Sequence, residues 1–526
     1  MAEELPLSSA PARLNLAGYC LGGHDEQVRA RDGLIVVTDA EASPQQAQRW
    51  SFADLDRAVR CVAAGLLSLG LARGDRVMIR LGNTSEYALL HFGAMAAGLV
   101  SVPSSPQLTP GEAQFLLQDC GAAALALAED LPVEADPRVL IIRARDVARW
   151  LAQEEPVDYA DTAAQDPAFL VYTSGTTSKP KGVLHAHRSV WGRRPMYDGW
   201  YGISDADVML HAGAFNWTYT LGVGLCDPWA VGASAIVYAG PPARSVWPRL
   251  IQEYRPTLFA AVPGLFRQIL DDFETGPDAA DSAAAAPLPQ FASLRHGLVA
   301  GEALPSALRT RWEKASGKPL FEALGMSECS TFVSSSPSVP VKDGSPGRPQ
   351  QGRRIAALPL QGGTQPVPTG QAGLLSIHRS DPGLMLGYWR RPAEEAATTR
   401  DEWFVSGDLV SFDEDGYLRY LGRHDDLMTA GGYRVSPAEV EEVLAAVPGV
   451  REVAVTQIVV RADVSVIAAF VVPEDGADQE HLRAALGEAA EERLARYKRP
   501  RQIVFLGSLP RTRNGKLLRR DLGLSG

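Results

Sequence analysis

No two of the five cysteines, Cys20, Cys61, Cys120, Cys226 and Cys329, form a C-x-x-C pair, and their number is odd. That spacing argues against a disulfide framework or a zinc site and predicts buried free thiols in a reducing compartment. Long apolar runs are missing as well. None reaches the roughly 18 residues a membrane-spanning helix needs, so no span is expected. The N-terminus, from Met1 to Pro6, is acidic and lacks the apolar stretch of a secretory signal, so a cytoplasmic location is expected. Positive charge is in the minority: 51 Lys and Arg face 62 Asp and Glu, a formal net charge of −11. A nucleic-acid binder would need a dominant basic face, so nucleic acid is not expected as the main partner.

What is present reads as a large globular chain. Its 526 residues exceed one ordinary core, so at least two domains are expected. Strand-like runs alternate with helix-like segments: Arg76 to Arg80 before Ser85 to Gly98, then Val100 to Pro103, with similar runs at Ala233–Tyr238 and Thr257–Val262. Such alternation predicts an α/β fold with mostly parallel strands. The segment from Thr275 to Gln290, rich in Ala, Pro and Asp, predicts a surface loop. Near Asp425 a strand-like stretch, Gly416–Leu421, gives way to Gly431, Gly432 and a helix start. There Ser436 is the predicted N-cap, Pro437 the first helical residue and Glu439 the capping-box partner. The expected division is a large domain of layered sheets and helices over 1–424 and a small α+β domain over 425–526, which the resemblance set out below implies is mobile. Ten Lys and Arg and no acidic residue lie between Arg493 and Arg520, either as a solvated face or as one that meets an anion.

The richest chemistry follows the apolar run Ala168–Val171. Tyr172-Thr173-Ser174-Gly175-Thr176-Thr177-Ser178-Lys179-Pro180-Lys181-Gly182 combines small hydroxyls, glycines and lysines, the composition of a phosphate-holding loop. No Lys-Ser or Lys-Thr follows Gly182, as a Walker A loop would require, and the stretch lacks a G-x-G-x-x-G fingerprint. Further along stand Val299-Ala300-Gly301-Glu302, Glu322-Ala323-Leu324-Gly325-Met326-Ser327-Glu328, Ser406-Gly407-Asp408, Gly422-Arg423-His424-Asp425-Asp426 and Pro510-Arg511-Thr512-Arg513-Asn514-Gly515-Lys516.

In this order the motifs resemble those of the adenylate-forming superfamily of acyl-CoA synthetases, peptide-synthetase adenylation domains and luciferases. The likeness is nearest to benzoate-type CoA ligases. Two departures are mild: Leu324 stands for Tyr and Ser327 for Thr in Y-G-x-T-E. The resemblance implies ATP, Mg²⁺ and coenzyme A. Thr173, Ser174, Gly175, Thr176, Thr177 and Lys181 would hold the β- and γ-phosphates. Ser327 would sit near the α-phosphate and Glu328 would hold Mg²⁺. Gly301, Glu302, Glu322, Ala323, Leu324 and Gly325 would flank the adenine. Asp408 and Arg423 would meet ribose or phosphate, and Asp425 would be the hinge. Gly431, Gly432 and Tyr433 would line the pantetheine channel. Lys516 would orient the attacking carboxylate.

For the acid, the resemblance points to His211, Phe215, Asn216, Trp217, Tyr219, Pro263, Gly264, Met326 and Thr331, an aromatic and small-residue set that suits a planar acid. No arginine stands out for a second carboxylate. A free-standing enzyme loading a carrier protein, a ligase for short or medium aliphatic acids and an inactive nucleotide-binding relative are the competing readings. A homodimer is compatible with all of them.

Overall fold

The computed structural model describes residues 9–132, 136–173, 180–241, 245–275, 288–426, 428–430, 433–461, 464–496, 498–511 and 517–522. Among these, strands assemble into sheets of nine, seven, five, three and two strands.

Alternation within short buried strands builds the layers. In strand Arg76–Arg80 of the seven-stranded sheet, Val77 and Ile79 enter one core while Met78 enters another, as the two-residue period of a strand dictates. In strand Asp32–Val37 of the nine-stranded sheet, Leu34 and Val36 enter that first core, and Ile35 and Val37 face away from it. The shared core therefore lies between the two sheets. Helices Phe52–Ser68 and Ser85–Ala96 fill it, the second buried all round apart from Glu86. Helix Pro110–Cys120 covers the outer face of one sheet, and helices Val246–Tyr254, Pro263–Thr275 and Ser306–Ser316 cover that of the other. The result is an α/β stack in which central strands are apolar on both sides, as parallel strands between helices must be.

The expected strands at 76–80 and 100–103 are present, and those read at 233–238 and 257–262 appear as Ser234–Tyr238 and Leu258–Ala261. The expected strand before Asp425 is shifted to Leu418–Arg423. It belongs to the five-stranded sheet, beside Trp403–Phe412.

Residues beyond it carry their own cores. Strands Val450–Arg461 and Val464–Pro473 pair antiparallel, and Gln502–Phe505 joins in parallel. Val455, Ile467, Ala469 and Val471 pack under helices Pro437–Ala445 and Gln479–Arg493, while Ala454, Ala468, Phe470 and Val472 face Leu509 and Leu522. The chain thus has a large α/β domain and a smaller one with a sheet.

The helix at Pro437 starts where Ser436 predicted, but the capping box does not form. The Ser436 hydroxyl donates to the Leu421 carbonyl instead, and Glu439 pairs with Lys498. A cap competes with any acceptor in reach, and here the preceding strand supplies one. The basic run shows similar internal pairing: besides Lys498, Arg519 grips Glu441, and Arg511 bridges Glu302 and Glu452. Several of its charges thus serve the protein itself. Of the segment from Thr275 to Gln290, residues 276–287 lie outside the described residues, and Pro289–Phe291 is a short helical turn. All five cysteines are free and buried. Among the described residues no helix is long and apolar enough to cross a membrane.

Candidate active site

Four neighbouring parallel strands of the nine-stranded sheet end along one edge: Val208–His211, Leu258–Ala261, His296–Ala300 and Leu320–Met326. Their carboxyl ends deliver His211, Pro263 and Gly264, Gly301 and Glu302, and Ser327 and Glu328 to that edge. Open α/β sheets bind ligands at this end of their strands.

The Ser327–Glu328 turn is built by necessity. Strands Leu320–Met326 and Ser330–Ser334 pair Gly325 with Thr331 and Met326 with Ser330, leaving a tight tip. A Cβ on Gly325 would lie 2.5 Å from the Ser330 carbonyl oxygen, so only glycine fits. Ser330 itself adopts φ 65°, a left-handed conformation costly for a residue with a side chain. The Arg193 guanidinium donates to its hydroxyl. Arg193 in turn forms a buried ion pair with Asp227, at 2.6 and 2.5 Å, and Tyr201 donates to the same carboxylate at 2.7 Å.

Strands Pro167–Thr173 and Lys181–Ala186 pair antiparallel in the seven-stranded sheet, with Thr173 opposite Lys181. Ser174, Gly175, Thr176, Thr177, Ser178 and Lys179 lie outside the described residues. Gly182, the last residue of the stretch read as a phosphate-holding loop, sits in strand Lys181–Ala186. A Cβ there would meet Leu170 at 2.9 Å and Trp389 at 3.1 Å, so its smallness serves packing. His185 of this strand donates Nε2–H to the Ser327 carbonyl at 2.8 Å; burial pulls its imidazole down to about 4 and keeps it neutral. Tyr388, on the adjoining strand Gly387–Tyr388, donates its hydroxyl to Glu328 Oε1 at 2.8 Å.

Asp408 and Arg423 are cross-strand partners, 3.4 Å apart, and Tyr420 also donates to the Asp408 carboxylate at 3.1 Å. A Cβ on Gly407 would sit 2.6 Å from an Arg423 nitrogen, so this glycine lets the guanidinium lie flat on the strand.

Of the expected adenine wall, Gly301 has φ 98°, and a Cβ there would touch the Trp217 ring at 3.0 Å. The side chains of the two glutamates are engaged by protein. Glu302 accepts from Arg511 at 2.6 Å. Glu322 is buried, accepting from the Leu304 amide at 3.0 Å and from Arg309 at 3.3 Å. Burial pushes the Glu322 carboxyl up to about 7 despite the Leu304 amide and Arg309. The unfolded carboxyl titrates near 4.3, so the folded state binds the proton more tightly. The group's contribution to stability is fullest below about pH 4.3 and is lost as pH rises towards 7. Glu322→Gln should therefore flatten the decline in melting temperature across that window. A wild-type-minus-variant difference that stays constant with pH would refute this.

In the expected acyl pocket, Tyr219 meets His211 edge-on at 4.5 Å and Trp217 at 5.2 Å between ring centroids. The Gly213 amide donates to His211 Nδ1 at 2.9 Å, which assigns the proton to Nε2. Among the described residues Nε2 has no partner, and burial pulls the imidazole down to about 3. Thr331 donates to the Met196 sulfur at 3.1 Å. Among the described residues nothing lies within 4 Å of a Cβ placed on Gly264. Phe215 stands apart: its ring packs on Tyr87 at 5.4 Å in the core between the sheets, while its amide donates to Asn83.

Lys516, Gly431 and Gly432 lie outside the described residues, as do the side chains of Asp425 and Tyr433, whose backbones occupy the turn His424–Asp426 and the strand Tyr433–Val435. The flanks of the Lys516 segment, Arg511 and Leu517, bridge antiparallel. Arg511 reaches the large domain, where Glu302 follows the end of strand His296–Ala300, and it shares Glu452 with Arg267.

Sequence reasoning passed over Tyr388, Tyr420, and the Arg193–Asp227 pair. Only the spacing of Tyr420 from Arg423 on one strand carried a local hint.

Comparison with known proteins matches this layout. Residues 25–389 fit the family of AMP-binding enzymes, and residues 439–516 fit the AMP-binding enzyme C-terminal domain. A benzoate–CoA ligase of Thauera aromatica is 30% identical over 98% of this chain and 97% of its own. The structure of a benzoate CoA ligase from Burkholderia xenovorans LB400 superposes with a TM-score of 0.84 at 29% identity, covering 97% of this chain and 99% of that one. An anthranilate CoA ligase in complex with anthranoyl-AMP gives 0.85 at 27% identity, covering 98% and 97%. The fold, the order of the motifs and the match across both domains place this chain in the AMP-binding enzyme family.

Proposed function

We propose that this protein is an AMP-forming carboxylic acid–CoA ligase acting on a benzoate-like aromatic acid. The observation that carries this reading is the meeting of the Ser327–Glu328 turn with the strand that begins at Lys181, through His185 and Tyr388. In the first half-reaction the acid's carboxylate attacks the α-phosphate of ATP, and pyrophosphate leaves. In the second the thiol of coenzyme A attacks the adenylate carbonyl, and AMP leaves.

Thr173, the loop to Thr177, and Lys181 hold the departing phosphates. Ser327 sits near the α-phosphate. Asp408 and Arg423 receive the ribose. Lys516 orients the carboxylate until the small domain turns about Asp425, which brings Gly431, Gly432 and Tyr433 to the pantetheine. Among the described residues no cluster of three or more His, Cys, Asp or Glu could cage a metal. Glu328, one oriented carboxylate, fits Mg²⁺ well, because that ion takes few protein carboxylates and completes its shell with phosphate oxygens. When bound, Mg²⁺ neutralises charge developing on the phosphates.

The acid is read from the pocket. His211 is neutral with an open N–H, Tyr219 and Trp217 supply apolar faces, and space remains at Gly264. A ring fits these walls better than a flexible chain. A pyrophosphate-release screen across benzoates, cinnamates and short aliphatic acids tests this. Benzoates should give the highest kcat/KM, with sustained turnover requiring coenzyme A and yielding AMP. Best turnover on aliphatic acids would overturn the substrate class; turnover sustained by a phosphopantetheinyl carrier protein but not by coenzyme A would overturn the acceptor.

A further inference from the structure

The ligase reading uses Tyr388 as a contact but gives it no task of its own. It lies in a two-residue strand, Gly387–Tyr388, that pairs antiparallel with Lys181–Ala186, the strand that follows the expected phosphate loop. Its hydroxyl donates to Glu328 Oε1 at 2.8 Å. A carboxylate oxygen only accepts, so the phenol hydroxyl is the donor in this pair. The Lys181 ammonium lies 5.6 Å from the centroid of the same ring and 3.6 Å from Glu394.

The backbone around Tyr388 is fixed independently. The Tyr388 amide donates to Glu395 Oε2 at 3.2 Å. Gly387 has φ 153°, which favours glycine, and the missing Cβ leaves room for Glu395 Oε2, which would lie 2.9 Å from it. The Met385 amide, just upstream, donates to the Glu328 carbonyl at 2.7 Å. The segment 385–388 thus holds Glu328 by both backbone and side chain while paired with the strand that begins at Lys181.

We propose that Tyr388 is a positioning residue that couples the phosphate loop to the metal carboxylate. By occupying Oε1 it turns the other oxygen of Glu328 towards a cation, and its ring face keeps Lys181 beside that cation's phosphate ligands. Partners that orient a ligating carboxylate typically change metal affinity on the order of 10–100-fold when removed. This inference rests on the ligase reading for its metal but not for its acid.

The test is Tyr388→Phe, which keeps the ring and the Lys181 contact and deletes only the hydroxyl. Affinity for Mn²⁺–ATP, read by the electron paramagnetic resonance of Mn²⁺ without any acid, should fall on the order of 10-fold. Affinity for metal-free ATP should be unchanged. In acid-dependent ATP–pyrophosphate exchange the Mg²⁺ requirement should rise by a similar factor, with activity recovered at saturating Mg²⁺ and the KM for the acid unaltered. In a Glu328→Gln background, Tyr388→Phe should add no further loss. Wild-type Mn²⁺–ATP affinity in the variant, an equal loss for metal-free ATP, or additivity with Glu328→Gln would each overturn the proposal. Because the Mn²⁺ measurement needs no acid, an error in the substrate class would not change its outcome.

Discussion

Replacing Lys516 by alanine is expected to slow acyl-adenylate formation by about 10²–10³-fold, the usual cost of losing one preorganised donor at developing charge. Thioester formation from supplied adenylate should be nearly unchanged. The asymmetry follows from where the charge moves. In the first half-reaction an anionic carboxylate approaches an anionic phosphate, and a cation held between them lowers the barrier. In the second, a neutral acyl carbon accepts a thiol, and the rotation proposed about Asp425 has carried Lys516 away. The described flank reaches the large domain: Arg511, five positions upstream, is anchored on Glu302 at 2.6 Å, beside the strand end that carries Gly301. The two half-reactions are separated by measuring pyrophosphate exchange and, independently, coenzyme-A-dependent release of AMP from synthetic adenylate. Equal loss in both would rule out the rotation and leave Lys516 with a role common to the two steps.

Asp227→Ala should be strongly destabilising. Asp227 is fully buried and receives both arms of Arg193 and the Tyr201 hydroxyl. Removing it leaves a buried guanidinium without its counter-charge, which costs about 3–5 kcal/mol. The damage should reach the site, because Arg193 also holds the hydroxyl of Ser330, whose left-handed backbone closes the turn bearing Glu328. Urea unfolding of the large domain should show the loss in midpoint. The double variant Asp227→Ala, Arg193→Met, which removes both charges, should recover much of it. A double variant no more stable than the single would mean that unpaired charge is not the cause.

Much of this layout can be read along the chain because its signals are local. Val77, Met78 and Ile79 are apolar in succession, and a strand buried on both faces uses such a run. Glu328 and Asp408 stand in ordered strings whose neighbours, Gly325 and Gly407, are glycines for steric reasons the structure makes plain. The rest depends on residues that meet only after folding. Tyr388 lies 60 positions from Glu328, and Arg193 lies 34 from Asp227. No period or spacing encodes those meetings. Local rules also misled where a distant partner intervened: Ser436 had the chemistry of a capping residue, but the Leu421 carbonyl was nearer at hand. Gly182 and Phe215 belong to motifs by position yet serve packing, because Trp389 and Tyr87 occupy the space around them.

The join between the domains has a consequence for how they part. Arg267, Glu452, Arg511 and Glu302 alternate in sign across it, and each is partly open to solvent. Charged pairs within reach of water can exchange a partner for it, as buried apolar area cannot. A greasy join would act as a weld, since exposing its area would oppose every swing of the small domain. A row of charges acts as a clutch: it sets register when engaged and lets go with little resistance. If the small domain turns as proposed, such a join leaves the turn open to bias by whichever substrate is bound, because a ligand shifts an equilibrium by its differential affinity for the two states.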